Sequence, residues 1–403
     1  MNPLSCSVTF YTKILQATQQ SLRYSSMADS DIQYMHRCLA LAEKGRYTTR
    51  PNPVVGAVLV KNEKVLAEGW HEKAGQAHAE IIALESAGPD ARDATLYVSL
   101  EPCTFTGRTG PCTDAVIAAG ISRLVYGMKD PNPNVNGQGI ERLKAEGIEV
   151  VGPVLEQEAI ALNAGFVKSM QRGLPYVRCK LGMSLDGRTA MASGESKWIT
   201  GAEAREDVQL LRARSSAIVT GIETVLQDDP GLDVRVDMTV EQPLRVIVDS
   251  RLRISSSSKT LQIPGQVIVA TAVSSEELLE DKQKELANDR VTLVSMPNED
   301  GRVDLVSLMQ FLVSEKECRE VLLESGAELA GAMLSDQLVD EVITYIAPKF
   351  MGSDARPLFN IEGLKRLEDA PQLEIIDVAM VGKDCRMRSR PIYQESAGAV
   401  LTK

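Results

Sequence analysis

His78-Ala79-Glu80 and, downstream, Glu101-Pro102-Cys103-Thr104-Phe105-Thr106-Gly107-Arg108-Thr109-Gly110-Pro111-Cys112 bracket the stretch that decides the amino-terminal half of the chain. One imidazole and two thiolates can hold a zinc ion tetrahedrally and leave a fourth position for water, the layout of a catalytic site. Two thiolates cancel the charge of Zn²⁺, so water bound there is acidified less than it would be by three neutral imidazoles. A base is therefore needed. Glu80, two residues after the histidine, offers a carboxylate near the metal but free of it, able to carry a proton from water to a leaving amine. The plain alternative for Cys103 and Cys112 is a pair of buried free thiols. Their order after His78 and Glu80, beside a proline, weighs against it.

The flanking sequence supplies a frame for these residues. Residues 79 to 86 and 112 to 119 read as helices, each preceded by a β-like run, Ala57-Val58-Leu59-Val60 and Leu96-Tyr97-Val98-Ser99-Leu100. Positions i and i+2 share no face in mid-helix, so His78 and Glu80 can cooperate only in a first turn. There the unpaired N–H groups and the helix dipole favour anions. H-x-E followed by P-C…C is the signature of the zinc nucleobase deaminases, whose chemistry is hydrolytic deamination. This chain separates its cysteines by eight residues rather than the usual two.

At 403 residues the chain has the length of two ordinary domains. Its 44% hydrophobic and 25% charged residues are those of a soluble protein, and no apolar run approaches the length that spans a bilayer. A net charge of -11 argues against a nucleic-acid partner. Seven scattered cysteines make no disulfide framework and point to a reducing cytoplasm.

Residues 1 to 28 read as a disordered leader or an over-extended start with Met27 as initiator. From Asp29, the spacing of Ile32, Met35, Cys38, Leu39 and Ala42 predicts an amphipathic helix. Strands follow at 54 to 60 and 64 to 69, turned by Asn62-Glu63, and His71 after them is a spare ligand at most. Strands at 123 to 127 and 148 to 151 flank a helix at 139 to 146, which predicts a three-layer sandwich on a mainly parallel sheet. One helix over 156 to 172 ends at Gly173, where the domain boundary is expected, giving domains of 29–173 and 174–403. Beyond it, strands are expected near 177–181, 216–220, 244–249, 266–271, 290–294, 320–324, 341–347 and 373–380.

Arg50-Pro51-Asn52-Pro53-Val54-Val55-Gly56 and the long cysteine loop resemble the pyrimidine deaminases of riboflavin biosynthesis, although Phe105 and Gly110 stand where that family usually has histidine and proline. In order, Lys180-Leu181-Gly182-Met183-Ser184-Leu185-Asp186-Gly187-Arg188, Ser196-Lys197-Trp198-Ile199-Thr200, Gly221-Ile222-Glu223-Thr224-Val225-Leu226-Gln227-Asp228-Asp229-Pro230, Val321-Leu322-Leu323-Glu324-Ser325-Gly326 and Tyr345-Ile346-Ala347-Pro348-Lys349 resemble the reductase half of the same bifunctional family. The resemblance implies a cytidine-deaminase-like α/β/α domain followed by a dihydrofolate-reductase-like α/β domain. It also implies zinc, NADPH, a small phosphoribosyl-pyrimidine substrate and a homo-oligomer.

By position, the resemblance implies that Gly182, Trp198, Thr224, Asp228, Ser250 and the 326–332 turn (Gly326, Ala327, Glu328, Leu329, Ala330, Gly331 and Ala332) line the cofactor. Ser196, Arg212, Leu232, Arg235 and Glu324 would line the substrate, and Lys180 is a candidate to move protons in the reduction. Asn52 suits a pyrimidine edge, because an amide both donates and accepts; an asparagine placed merely to precede a proline is the alternative. Arg212 and Arg235 suit a phosphate, although apart from the resemblance a solvated helix or loop charge is the better reading of each. Trp198 suits a planar cofactor wall or a core. Two other functions fit the zinc motif alone. An editing deaminase with a nucleic-acid module is opposed by the acidic charge and only 4% aromatic residues, and a scaffold with structural zinc would have no use for Glu80.

Overall fold

The computed structural model describes residues 29–104, 110–133, 135–238, 240–286 and 288–393. The leader and Phe105 therefore lie outside the described residues. The chain divides into two compact units between Ala164 and Gly165. Among the described residues no helix is long and apolar enough to cross a membrane.

In the first unit the order is α1 (Asp29–Glu43), β1 (Gly56–Lys61), β2 (Lys64–Trp70), α2 (Ala79–Ala87), β3 (Thr95–Leu100), α3 (Cys112–Ala118), β4 (Arg123–Met128), α4 (Gln138–Ala145), β5 (Glu149–Val151) and α5 (Glu156–Leu162). The sheet runs β2-β1-β3-β4-β5. It is evenly mixed rather than mainly parallel: β1 is antiparallel to both β2 and β3, while β3, β4 and β5 are mutually parallel. The reason is the tight turn at Asn62 and Glu63, both left-handed at φ 51° and 59°, which reverses the chain at once and leaves no room for a crossover.

Alternation along β1 sends Val58 and Val60 to one face, where Met35, Cys38 and Leu41 of α1 cover them with Tyr97 and Val125. Buried Asp31 sits on the same helix, held by Arg123 (2.8 Å) and the Tyr97 hydroxyl (2.8 Å). Gly69 lets α2 approach the sheet: a Cβ there would lie 2.3 Å from the Ala79 carbonyl oxygen.

The single helix expected over 156 to 172 is two helices, α5 and α6 (Ala164–Arg172). Asn163 breaks it, because its amide is taken by the backbone of Val54, accepting from Val54 N at 2.9 Å and donating to Val54 O at 3.0 Å. Gly165 lies against Arg319 and Glu320, and Lys168 pairs with Asp340 at 2.6 Å. α6 thus packs with the carboxyl-terminal half of the chain, which puts the division ahead of Gly173.

The second unit continues with β6 (Tyr176–Ser184), β7 (Arg188–Ala190), α7 (Ala202–Arg214), β8 (Ala217–Gly221), α8 (Ile222–Asp228), β9 (Leu244–Val248), α9 (Lys259–Gln262), β10 (Val267–Thr271), α10 (Glu276–Leu286), β11 (Val291–Ser295), α11 (Leu305–Ser314), β12 (Glu320–Leu323), α12 (Ala327–Ser335), β13 (Glu341–Ala347), β14 (Arg356–Pro357), β15 (Gln372–Val381) and β16 (Asp384–Ile392). Its main sheet runs β11-β10-β9-β8-β12-β6-β13-β16-β15, parallel as far as β13 and antiparallel beyond. Every strand expected in this half is present. Period-two alternation puts Val177, Cys179 and Leu181 of β6 into the core with Val321, Leu323, Leu308 and Met333, and leaves Lys180 and Gly182 on the other face.

Candidate active sites

At the carboxyl end of β3 and the starts of α2 and α3, the ligand atoms of His78, Cys103 and Cys112 all lie within 4.8 Å of one another. His78 Nδ1 is 3.1 Å from Cys112 Sγ and 3.7 Å from Cys103 Sγ, and the Cys112 backbone N–H donates to Cys103 Sγ at 3.4 Å. The contact with Cys112, with help from His78, draws the Cys103 thiol below its ordinary range, while the Cys112 thiol is pushed up. Two sulfurs and an imidazole within reach of a single ion are the donor set that zinc takes. Glu80 is buried beside them in the first turn of α2, and burial raises its carboxyl above the ordinary range.

His71 is not one of the three. Its Nδ1 faces the Ala77 carbonyl oxygen at 3.1 Å and its Nε2 faces the Asn52 amide nitrogen at 3.2 Å. A carbonyl can only accept, so Nδ1 carries the proton and Asn52 donates to Nε2. That leaves the Asn52 oxygen out of this bond, on an exposed residue. Sequence reasoning missed Glu101, which is buried and, among the described residues, has its carboxylate bound by four backbone N–H groups. The one signal was an acid ending an apolar strand, directly before Pro102-Cys103.

In the second unit the expected residues gather where parallel strands end, the usual place for ligands in open α/β sheets. Gly182 lies against Thr200, Ser250 follows β9, and Gly326 caps α12. Thr224 and Asp228 sit on α8, whose Asp228 is approached by the Ser196 hydroxyl (3.4 Å) and, through its carbonyl, by Lys197 Nζ (3.0 Å). Trp198 is exposed, with the Arg205 guanidinium 4.6 Å from its ring centroid, so the core alternative for it does not hold. Of the 326–332 segment only Gly326, with extended backbone, lies outside the helix. Ala327 to Ala332 form the first turns of α12, with Ala330 and Gly331 buried.

Three charged groups meet near the end of β12. Arg212 forks onto Glu324 (2.6 and 3.0 Å) and also donates to the Asp233 carbonyl oxygen at 3.0 Å. Burial works to raise the Glu324 carboxyl, but Arg212, with Lys180 adding, holds it below the usual carboxylate range. Burial also lowers the Lys180 ammonium. The Arg212 fork is thus closed on a carboxylate rather than offered to a phosphate. Arg235 is the exposed guanidinium nearby, bound to Asp233 at 2.7 Å. Leu232 points its side chain into the core with Ile218 and Leu322, so only its backbone, left-handed at φ 56°, can line a site.

The fold and these two sites define a class, a zinc-region deaminase followed in the same chain by a reductase-type α/β unit. The model of the cytidine and deoxycytidylate deaminase zinc-binding region matches residues 28–128, and that of the RibD C-terminal domain matches residues 175–386. The riboflavin biosynthesis protein RibD of Escherichia coli strain K12 is 47% identical over 88% of this chain and 97% of its own. A solved Acinetobacter baumannii RibD is 42% identical, covers 90% of this chain and 99% of its own, and superposes with a TM-score of 0.82. A Thermotoga maritima diaminohydroxyphosphoribosylaminopyrimidine deaminase/5-amino-6-(5-phosphoribosylamino)uracil reductase is 33% identical over 90% of this chain and 99% of its own, with a TM-score of 0.80. The chain belongs to the RibD family of bifunctional riboflavin biosynthesis proteins.

Proposed function

We infer that the first unit hydrolytically deaminates 2,5-diamino-6-(5-phosphoribosylamino)pyrimidin-4(3H)-one and that the second reduces the ribosyl side chain with NADPH, giving 5-amino-6-(5-phosphoribitylamino)uracil. The observation that carries this is the His78/Cys103/Cys112 cluster with buried Glu80 beside it. His78, Cys103 and Cys112 would hold zinc, which supplies the Lewis acidity that makes water a nucleophile at neutral pH. Glu80 takes the proton from that water and delivers it to the departing amine; a carboxyl raised by burial suits both halves of the transfer. Asn52 presents its oxygen to an N–H on the pyrimidine, held in that sense by His71.

In the second unit NADPH supplies the hydride when bound. Lys180 is placed to give the accompanying proton, and Glu324, fixed by Arg212, to orient sugar hydroxyls. Exposed Arg235 is left to meet the phosphate. Incubating the protein with the diaminopyrimidine, with and without NADPH, tests the assignment. Ammonia should appear without NADPH, and NADPH absorbance should fall only after deamination; NADPH loss with no ammonia would overturn the order.

The chain works as a homo-oligomer in the cytoplasm. The cysteines described are free thiols, in keeping with a reducing compartment. Among the described residues β15 is the last strand of its sheet, and the irregularity between Ile375 and Asp377 keeps exposed Leu373, Ile375, Val378 and Met380 on one face. Their partners on β16 are Pro391, Ser389, Met387 and Cys385, whereas Arg386, Arg388 and Arg390 lie on the opposite face, paired with acids. An uncharged face ending in an open edge suits a second copy of itself.

A further inference from the structure

Glu101 is buried, and its carboxylate meets backbone groups from one segment. Oε2 accepts from Asp130 N (3.1 Å) and Gly137 N (3.0 Å), and Oε1 from Gly139 N (3.0 Å) and Ile140 N (3.3 Å). No ion pair to it exists among the described residues. A buried carboxylate without a cation is costly unless N–H donors saturate it, and here they do, two of them at the amino end of α4 where the helix dipole adds to the attraction. Two of these bonds hold Asp130 and Gly137, the two ends of the connection between β4 and α4.

What the loop is anchored to matters more. β3 and β4 are parallel neighbours paired through Leu100 and Met128, and Glu101 N donates to Met128 O at 3.0 Å. The chain therefore leaves both strands side by side at their carboxyl ends. From one it runs directly to Pro102 and Cys103, and from the other to Asp130-Pro131-Asn132. Gly139 closes against the first: a Cβ there would lie 2.2 Å from the Pro102 carbonyl oxygen. On its far side Cys103 is tied to α3, its carbonyl accepting from Thr113 N and Oγ1, both at 3.2 Å. The ligand strand end is thus held to α3 without Glu101, whereas Glu101 adds four bonds from it to Asp130 and the start of α4, a helix that also reaches α3 through Arg142 and Asp114 (2.5 Å).

We propose that Glu101 is a positioning residue for deamination. Its carboxylate draws Asp130 and residues 137–140 against the strand end that carries Cys103 and so sets one wall of the pyrimidine site, while the metal set assembles without it. This rests on the deaminase reading above. Because Glu101 carries the wall and not the ligands, its loss should weaken substrate binding before it affects zinc.

The test uses the full-length, zinc-loaded protein and Glu101→Gln, whose amide offers one acceptor oxygen to four donors and turns an NH₂ toward the rest. Hydrogen exchange of peptides covering 130–140 should rise at least about tenfold, while peptides covering α2 stay protected. The KM for deamination should rise roughly tenfold or more with a smaller change in kcat, as expected for a misplaced binding wall. Zinc per chain and reduction of the deaminated intermediate should be retained. Gly139→Ala, which pushes the same segment from Pro102 and leaves the carboxylate intact, should reproduce the KM effect and serves if Glu101→Gln fails to fold. Unchanged exchange in Glu101→Gln would show that the carboxylate is not the clamp. Loosened exchange with unaltered KM would show that the segment is no wall of the site, and loss of zinc with normal KM in the loaded fraction would assign Glu101 to the metal instead. Should the unaltered protein release no ammonia from the diaminopyrimidine, the deaminase reading fails, and the exchange result still decides the clamp.

Discussion

Replacing Arg212 by methionine removes the main partner of a largely buried carboxylate and leaves Lys180 as the cation beside it. The Arg212 and Glu324 side chains are only 11% and 13% exposed and share two hydrogen bonds. Breaking a buried pair from one side costs about 3–5 kcal/mol, against about 0–1 for an exposed one. At 2–4 °C per kcal/mol for a unit of this size, the transition should fall by at least about 6 °C. Calorimetry of the full chain, with the second unit's transition identified as the one NADPH raises, reads the loss. Arg212→Met with Glu324→Met removes both charges and should be more stable than the single variant by at least about 1 kcal/mol, because the stranded carboxylate is gone and Lys180 loses the attraction of Glu324 together with the repulsion of Arg212. Reductase activity should stay absent in single and double variants, and ammonia release should persist in both. A single variant losing less than about 1 kcal/mol, or a double variant no more stable than the single, would refute the buried-pair account.

Asp31→Asn should destabilise the first unit by about 3 kcal/mol, since it breaks the pair with Arg123. The Arg123 hydrogen bonds hold the Asp31 carboxyl below its ordinary value, so the stability it confers is present above pH ~4 and lost as pH falls through the lowered value. Acid unfolding monitored from pH 6 downward should therefore be shallower in the variant. Lys180→Gln should abolish reduction and spare deamination. In the parent, if the ammonium form donates the proton, reductase kcat should decline toward alkaline pH from below the ordinary lysine range, because burial lowers Lys180; an unchanged profile in Lys180→Gln would remove it from proton transfer. Val378→Lys, on the uncharged face of β15, should reduce the mass measured by light scattering without altering ammonia release.

Much of this was legible in the chain itself because local pattern and tertiary demand agree. The strands of the second unit are short apolar runs between turn residues, and α1 shows its buried stripe at Met35, Cys38 and Ala42. Features decided by distant partners were hidden. Asn163 reads as an ordinary helix residue until Val54 takes its amide, and Glu101 as an ordinary acid until four N–H groups surround it. β16 escaped notice because Arg386, Arg388 and Arg390 look like a solvated run, and only their acidic partners make the strand. Arg212 was legible as a binding guanidinium by type, but its closure on Glu324 spans two elements that no local pattern connects.

The central claim is that Glu80 moves the proton in deamination without holding the metal. Glu80→Gln, assayed for zinc content, ammonia release and reduction of the deaminated intermediate in one preparation, tests it most directly. Zinc and reduction should remain as in the parent while ammonia release falls by about 10²–10⁴-fold. Ammonia release within tenfold of the parent, or zinc lost together with it, would contradict the account.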